Sequence, residues 1–342
     1  MKRIAKVAGA WAIGILGWLG YSYLMWNKPI PSERELETYT QSLLSNVGMK
    51  ELYGTWREEV LPVKGEELHL YHFEADPDDP VMVFVPGTGV YALFYTEFMY
   101  KMSQQGLNVV GFDPRGHGKS TGKRGVYTLG GLVEDARAVV DHAISVYNDK
   151  VAVSGSSQGG MVAFYCAAGE PRAKAAVCHN VLAPDEPDNE RITRWPSLWR
   201  PFMSLLPLFK PMMDSALGEL MIPIPIYLDY KAEIETARPI PDVARFMKED
   251  PALLTAVSFG AFYSLTTTPL ARKVEEIETP VMVIHSGRDN VFPEDYVRRV
   301  YDRLTCEKEF VYFPDATHMV VLNYVEELVP QVAAWVKKMV ER

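Results

Sequence analysis

The stretch Val151-Ala152-Val153-Ser154-Gly155-Ser156-Ser157-Gln158-Gly159-Gly160, running on into Met161-Val162-Ala163-Phe164, decides how the rest of the chain is read. Its first apolar residues read as a buried strand. Glycines then flank Ser157 at G-x-S-x-G spacing, and an apolar, helix-compatible run follows. Ser157 therefore falls at a tight turn between strand and helix. Glycine is needed on both sides because a side chain in so sharp an elbow would collide with the neighbouring strand and helix, while a nucleophilic oxygen must stand clear. A helix starting behind Ser157 leaves backbone N–H groups free. That of Gln158 can face the oxyanion formed when a serine attacks an acyl carbon. G-x-S-x-G also occurs in ordinary Gly/Ser turns, so the reading depends on what else the chain supplies.

Upstream, Val81 to Val85 is a continuous apolar run of the kind that forms a buried parallel strand, and it ends in Pro86-Gly87-Thr88-Gly89. The two glycines let the backbone turn closely and leave N–H groups exposed to a ligand oxygen. A helical stretch to about Gln105, a strand at Val109 to Phe112 and the turn-rich loop Asp113 to Ser120 come next. Asp113 and Arg115 are expected to fix that loop by local hydrogen bonds rather than to act in chemistry. Leu129 to Tyr147 has helical spacing and leads into the Ser157 strand, and Ala175 to Cys178 forms another apolar run. Before all of these, Val60 to Val63 and Leu68 to Phe73 alternate polar with apolar residues and read as an antiparallel edge. His69 and His72 are taken as edge-strand residues, since no carboxylate or cysteine cluster accompanies them in sequence. Strands alternating with helices predict a mainly parallel sheet with right-handed crossovers.

Between Leu182 and about Arg272 the alternation stops, and proline, methionine and aromatics dominate, among them Trp195, Trp199, Phe202, Phe209, Met212, Met213, Tyr227, Tyr230, Phe259 and Phe262. This reads as a set of short helices inserted into the sheet domain. Its inner face is expected to line an apolar acyl pocket and its outer surface to dip into a membrane. The sheet pattern resumes at Val281 to His285, followed by Ser286-Gly287-Arg288-Asp289-Asn290. A helix over Glu294 to Leu304, a strand over Phe310 to Phe313, the turn Pro314-Asp315-Ala316-Thr317-His318 and a final amphipathic helix over about Val325 to Val340 complete the chain.

At the N-terminus, Met1-Lys2-Arg3-Ile4-Ala5-Lys6 precedes a run without charge from Val7 to Trp26, ending at Asn27-Lys28. Roughly 20 uncharged residues at about 1.5 Å each match a hydrocarbon core of about 30 Å. A retained transmembrane helix is expected over residues 1–28, in competition with a cleaved signal peptide ending near Gly20-Tyr21-Ser22. Lys2, Arg3 and Lys6 outnumber Lys28 and Arg34, which puts the N-terminus in the cytoplasm and the catalytic domain on the far side. Residues 29–55 read as a linker and a short helix, with Ser32 as N-cap and Glu35 in capping-box position. The expected division continues with a first core segment at 56–182, a cap at 183–272 and a second core segment at 273–342.

The 342 residues carry a formal charge of −9, with no basic tract, which argues against a nucleic-acid partner. Cys166, Cys178 and Cys306 lack metal-ligand spacing and read as core residues.

The chain thus supplies Ser157, Asp289 and His318 in that order, each just past an expected strand end, where open α/β sheets gather catalytic groups. A serine hydroxyl needs a base to take its proton. His318 can do so, while Asp289 can hold the imidazole tautomer and stabilise its cation. With Phe84-Val85-Pro86-Gly87-Thr88-Gly89, the Asp113 to Ser120 loop, the Ser157 elbow, Ile284 to Asp289 and Ala316-Thr317-His318, the sequence resembles the α/β-hydrolase superfamily, in the branch of monoacylglycerol lipases and lysophospholipases. The resemblance covers roughly Trp56 to Glu341. It implies Ser157 as nucleophile, Asp289 as acid, His318 as base, the N–H groups of Thr88 and Gln158 as oxyanion hole, and the insertion as a lid. The chain departs from the family in having Pro86 where a histidine is frequent, and Ala316-Thr317 where a glycine often precedes the catalytic histidine.

The expected function is serine hydrolysis of an ester of an apolar acyl group, such as a monoacylglycerol or lysophospholipid, through an acyl-enzyme. The same triad would serve an acyltransferase, thioesterase, amidase or peptidase. A catalytically dead, membrane-tethered binding module is the alternative from another class. No metal or organic cofactor is implied, because acyl transfer needs only the triad and backbone dipoles. The expected partners are a small-molecule or lipid ester and, through the N-terminal helix, a membrane.

Overall fold

The computed structural model describes residues 2–203, 205–229 and 231–342, with side chains described from residue 14 onward apart from 199, 202, 203 and 231. The basic Lys2, Arg3 and Lys6 and the aromatic side chains of Trp199, Phe202 and Tyr230 therefore lie outside the described residues.

Eight strands form one sheet: β1 (Arg57–Val63), β2 (Glu66–Phe73), β3 (Val81–Val85), β4 (Asn108–Asp113), β5 (Val151–Ser156), β6 (Ala173–His179), β9 (Val281–Ser286) and β10 (Lys308–Phe313). The remaining two, β7 (Met221–Pro223) and β8 (Ala256–Ser258), pair with each other in the insertion. The spatial order of the large sheet is β1-β2-β4-β3-β5-β6-β9-β10. β1 and β2 form an antiparallel edge, β2 runs antiparallel to β4, and every pairing from β4 to β10 is parallel. The apolar runs expected to be buried strands are so: every residue of β3, β5 and β9 is buried. β1 shows the alternating exposure of an edge.

The helix at the N-terminus is α1 (Lys2–Trp26), and α2 (Glu33–Asn46) follows with the expected capping box between Ser32 and Glu35. In the core, α3 (Thr96–Ser103) packs with the final helix Val325–Val340. α4 (Leu129–Val146) packs with α5 (Gln158–Gly169), and the two helix pairs cover the sheet.

The segment between β6 and β9 consists of short helices, as expected, together with the β7–β8 pair that the sequence did not suggest. Backbone hydrogen bonds lash it to the core at loops leading to the site: Leu254 N–H donates to Gly89 O (2.8 Å) and Ser258 N–H to Gly125 O (2.9 Å). The buried Arg124 guanidinium donates both to Gly118 O of the core loop (2.9 Å) and to Ala252 O of the insertion (3.2 Å).

The membrane span expected over residues 1–28 has its side chains up to residue 13 outside the described residues. Among the described residues no helix is long and apolar enough to cross a membrane. Part of the helix is also committed to protein contacts. Trp18 Nε1–H donates to Met221 O (2.7 Å), Ser22 is fully buried and its Oγ accepts from Met221 N–H (3.0 Å), and Trp26 Nε1–H donates to Glu219 O (2.8 Å). Trp18 meets Phe259 edge-on. Beyond the helix, Lys28 Nζ donates to Leu253 O (2.7 Å), so this region rests on the insertion at two places.

Gly159 opens α5 against β3, and a Cβ there would lie inside the van der Waals envelope of Val85 O, Pro86 O and Val85 C. Alanine normally favours a helix, yet Gly159→Ala should destabilise the fold by about 1–3 kcal/mol. A denaturant midpoint equal to that of the wild type would overturn this packing argument.

Candidate active site

The elbow is built by backbone collisions that only glycine avoids. A Cβ on Gly155 would overlap the Gly159 backbone, and one on Gly160 would overlap His179 O. With α5 pressed so closely against β3 and β6, the turn places Ser157 at φ 57° and ψ −117°, a strained conformation for a residue with a side chain. The elbow is held from β6: Ser157 N–H donates to His179 O (3.1 Å), and His179 Nδ1 lies 3.1 Å from Ser156 Oγ. The loop after β3 closes over the same point, since a Cβ on Gly87 would meet Ser157 Cβ at 3.5 Å. Thr88 and Ser157 line two adjoining clefts together, and Gln158 lines the second. The Gln158 side chain is turned away, its Oε1 accepting from Tyr127 O–H at 3.1 Å, so it enters the cleft region through the helix start.

Asp289 follows β9 and His318 follows β10, and the fold brings them to a 2.8 Å contact between His318 Nδ1 and Asp289 Oδ2. The Asp289 carboxylate is fully engaged. Oδ1 accepts from Val291 N–H (2.8 Å) and Phe292 N–H (2.9 Å), and Oδ2 also accepts from Asn180 Nδ2 (2.9 Å). Burial alone would raise its pKa, but the His318 ring and these donors hold it well below the usual carboxylate range. It is therefore ionised at neutral pH and accepts a hydrogen bond from His318 Nδ1–H, leaving Nε2 with its lone pair. For His318, burial lowers the pKa but Asp289 and then Glu233 outweigh it, and the net shift is upward. Phe292 stacks parallel to the ring at 5.9 Å. His318 and Ser157 line the same cleft with Thr88, Leu228 and Met319.

Four further residues support this arrangement and were not singled out in the sequence. Asn180, just past β6, donates to Asp289 and accepts through Oδ1 from His285 Nδ1–H at 2.6 Å, so a hydrogen-bonded line runs His285–Asn180–Asp289–His318. His179 lies 5.0 Å from the His318 ring, centroid to centroid, and burial followed by the neighbouring His318 keeps its pKa well below the ordinary value. It stays neutral and adds no competing charge. Glu233, buried in the insertion, accepts His318 N–H (2.8 Å) through one carboxylate oxygen and Asn290 Nδ2 (2.7 Å) through the other. These residues carry no motif. His179, Asn180 and Glu233 lie far from Asp289 in sequence and become its neighbours only when the insertion docks and β6 packs beside β9, where His285 sits four residues before Asp289. By contrast Asp113 and Arg115 serve the loop as expected: Asp113 accepts from Ala92 N–H and Lys119 N–H (2.8 Å each), and Arg115 pairs with Asp135.

The fold and this constellation are those of a serine-hydrolase-type α/β-hydrolase. A family model described as serine aminopeptidase, S33, matches residues 76–323, and the chain belongs to that family. It is an esterase- or lipase-like serine hydrolase that resembles the monoacylglycerol lipase branch. Among solved structures it is similar to a Paleococcus ferrophilus monoacylglycerol lipase (22% identity, 80% of this chain and 99% of that one, TM-score 0.62). It is also similar to a soluble variant of Saccharomyces cerevisiae monoglyceride lipase bound to a substrate analogue (15%, 83% and 96%, TM-score 0.67). A thioesterase domain from the curacin biosynthetic pathway matches at 16% identity over 82% of this chain and 99% of that one, with TM-score 0.55. At these identities the likeness carries the fold. Comparison with curated proteins gives no match.

Removing the Glu233 carboxylate leaves the buried His318 N–H and the exposed Asn290 Nδ2 without their acceptor. Glu233→Ala should lower stability by about 1–3 kcal/mol and esterase kcat roughly ten- to a hundred-fold by loosening the His318 loop, whereas Glu233→Gln should restore most of the activity. Equal kcat in Glu233→Ala and wild type would show that the insertion does not position His318.

Proposed function

We propose that the chain hydrolyses a carboxylic ester of an apolar acyl group through an acyl-enzyme, with Ser157 as nucleophile, His318 as general base and Asp289 as its orienting carboxylate. The observation that carries this reading is the buried Asp289–His318 pair at 2.8 Å, facing the same cleft as a serine held at positive φ. Ser157 Oγ attacks the acyl carbon as His318 Nε2 takes its proton, and the oxyanion is met by the backbone N–H groups of Thr88 and Gln158. Collapse breaks the ester bond, and the alcohol leaves with the proton from His318. Water then attacks the acyl-enzyme by the same route and releases the acid, returning the proton to Ser157.

The apolar nature of the acyl group is argued from the clefts. One is lined by Val90, Phe94, Leu228, Ile234, Val291 and Leu322 beside Ser157 and His318. The other is lined by Met161, Ile192, Phe262, Leu265, Val291 and Phe292 beside Ser157 and Gln158. His318 must protonate the leaving group, so the first cleft is assigned to the alcohol and the second to the acyl chain. Their volumes are about 50 and 30 Å³, room for a few water molecules, so an acyl chain enters with displacement of the insertion around Tyr227 and Leu228. A thioester would be served by the same groups, and the thioesterase fold likeness keeps that reading second.

Turnover of a p-nitrophenyl ester series from acetyl to palmitoyl should peak at medium or long chains and vanish in Ser157→Ala, which should keep the wild-type fold. Full activity in Ser157→Ala would remove the nucleophile assignment. Activity confined to acetyl and butyryl esters would remove the apolar-acyl assignment, and failure to react with a fluorophosphonate would favour a binding module.

The pH dependence has a definite sign. Only neutral His318 accepts the serine proton, and its pKa is raised above 6.5. The kcat/KM profile should therefore climb through an apparent pKa above that value and fall away on the acid side. A half-maximal point below it would mean that Asp289 does not stabilise the imidazolium.

A further inference from the structure

At the antiparallel edge of the sheet, away from Ser157, three potential ligands converge. Glu59 lies on β1, His72 on β2 and His142 on α4. In the β1–β2 register Glu59 pairs with Leu70 and Arg57 with His72, so Arg57, Glu59 and His72 share one face of the hairpin, and α4 packs against β1. His142 Nε2 stands 3.2 Å from Glu59 Oε1, and His72 Nε2 stands 3.3 Å from Glu59 Oε2. Two ligand atoms bound to one zinc ion at about 2.0–2.2 Å in tetrahedral geometry lie roughly 3.3–3.5 Å apart. The three ligand atoms all fall within 4.8 Å of one another.

The hydrogen bonding around His72 leaves its inner ring nitrogen without a partner among the described residues. Tyr147 has a single hydroxyl proton, which it donates to Glu74 Oε1 (3.2 Å). Its oxygen therefore accepts from His72 Nδ1–H (3.0 Å), and the neutral ring presents a bare lone pair at Nε2. That nitrogen is buried, has no hydrogen-bond partner and faces a carboxylate oxygen, an arrangement of two electron-rich atoms. His142 Nε2 is likewise buried and unpartnered although it faces the other oxygen. A hydrogen-bonded ion pair would have aligned an N–H with the carboxylate, and the His72 contact does not. The Tyr147 contact to the far nitrogen of His72 is the outer-shell support that orients an imidazole ligand and sets its tautomer. Arg57 Nη1 also donates to Glu59 Oε2 (2.7 Å) while its Nε donates to Glu74 (3.0 Å), which leaves Oε1 as the oxygen with free lone pairs.

We propose that Glu59, His72 and His142 form a binding site for a divalent transition metal, with Zn²⁺ the ion that two imidazoles and one carboxylate suit best. The metal bridges the lone pairs of both rings and the carboxylate, with water completing the tetrahedron, and fastens the β1–β2 edge to α4. Its role is structural: β4 and β3 lie between β2 and the strand that carries Ser157, so ester hydrolysis does not pass through it. The lone carboxylate partner, 13 residues from His72 along the chain, and a histidine on a later helix give no ligand spacing in the sequence.

The full chain, stripped with EDTA and dialysed, is titrated with Zn²⁺ by calorimetry and with Co²⁺ by visible absorption. His179, Asp289 and His318 form a second group able to hold a metal, so the titrations are repeated in His318→Ala. The expected result is one equivalent of Zn²⁺ per chain, a raised Tm, and Co²⁺ bands of a four-coordinate nitrogen and oxygen site, all retained in His318→Ala. Glu59→Ala and His142→Ala change partly exposed positions. Each should weaken binding about ten-fold or more while leaving metal-free Tm and Ser157-dependent ester turnover near wild type. Absence of saturable binding, unchanged affinity in both variants, or loss of the Co²⁺ bands in His318→Ala would each overturn the proposal.

Discussion

The close approach of α5 to the backbones of β3 and β6 is the constraint on which this structure depends. Gly155, Gly159 and Gly160 each bring main-chain atoms together at distances that exclude a Cβ, and the chain can pass from β5 into α5 only by carrying Ser157 through positive φ. The strain at that residue is sustained by the buried parallel strands on either side, which leave the backbone no other path. The proposed nucleophile and the Gln158 N–H proposed to meet its oxyanion thus come from one steric condition.

The histidine is held in a different way. His318 sits on a turn without regular structure, and its place is set by two hydrogen bonds and a ring stack: Asp289 on Nδ1, Glu233 on its N–H, and Phe292 on its face. Asp289 is in turn saturated by two backbone N–H groups and Asn180, so it cannot rotate away or take up a proton near neutrality. Because Glu233 belongs to the insertion, docking of the insertion and placement of His318, the proposed base, are one event. An insertion that moves to admit an acyl chain must keep this contact or lose it, which ties access to competence.

Much of the core was legible because its signals are local. Continuous apolar runs bounded by turn residues marked β3, β5 and β9, Ser32 and Glu35 marked the start of α2, and G-x-S-x-G marked the elbow. Asp289 and His318 were legible through their order and their positions after strands. At the N-terminal helix, Ser22, Trp18 and Trp26 use their polar groups on the insertion, contacts that no local pattern announces.

The sequence by itself determined the elements of the large sheet, the elbow and the three residues proposed for the chemistry, because strand burial, glycine sterics and the demands of a serine nucleophile act over a few neighbouring positions. Only the tertiary structure decided what surrounds them. Asn180, Glu233 and His285 join the site, and Glu59 meets His72 and His142, through contacts between elements whose residues are 13 to more than 100 positions apart. A carboxylate or an imidazole has no pattern that announces such a meeting. Its partner is chosen by sheet order and helix packing, which depend on the whole chain at once.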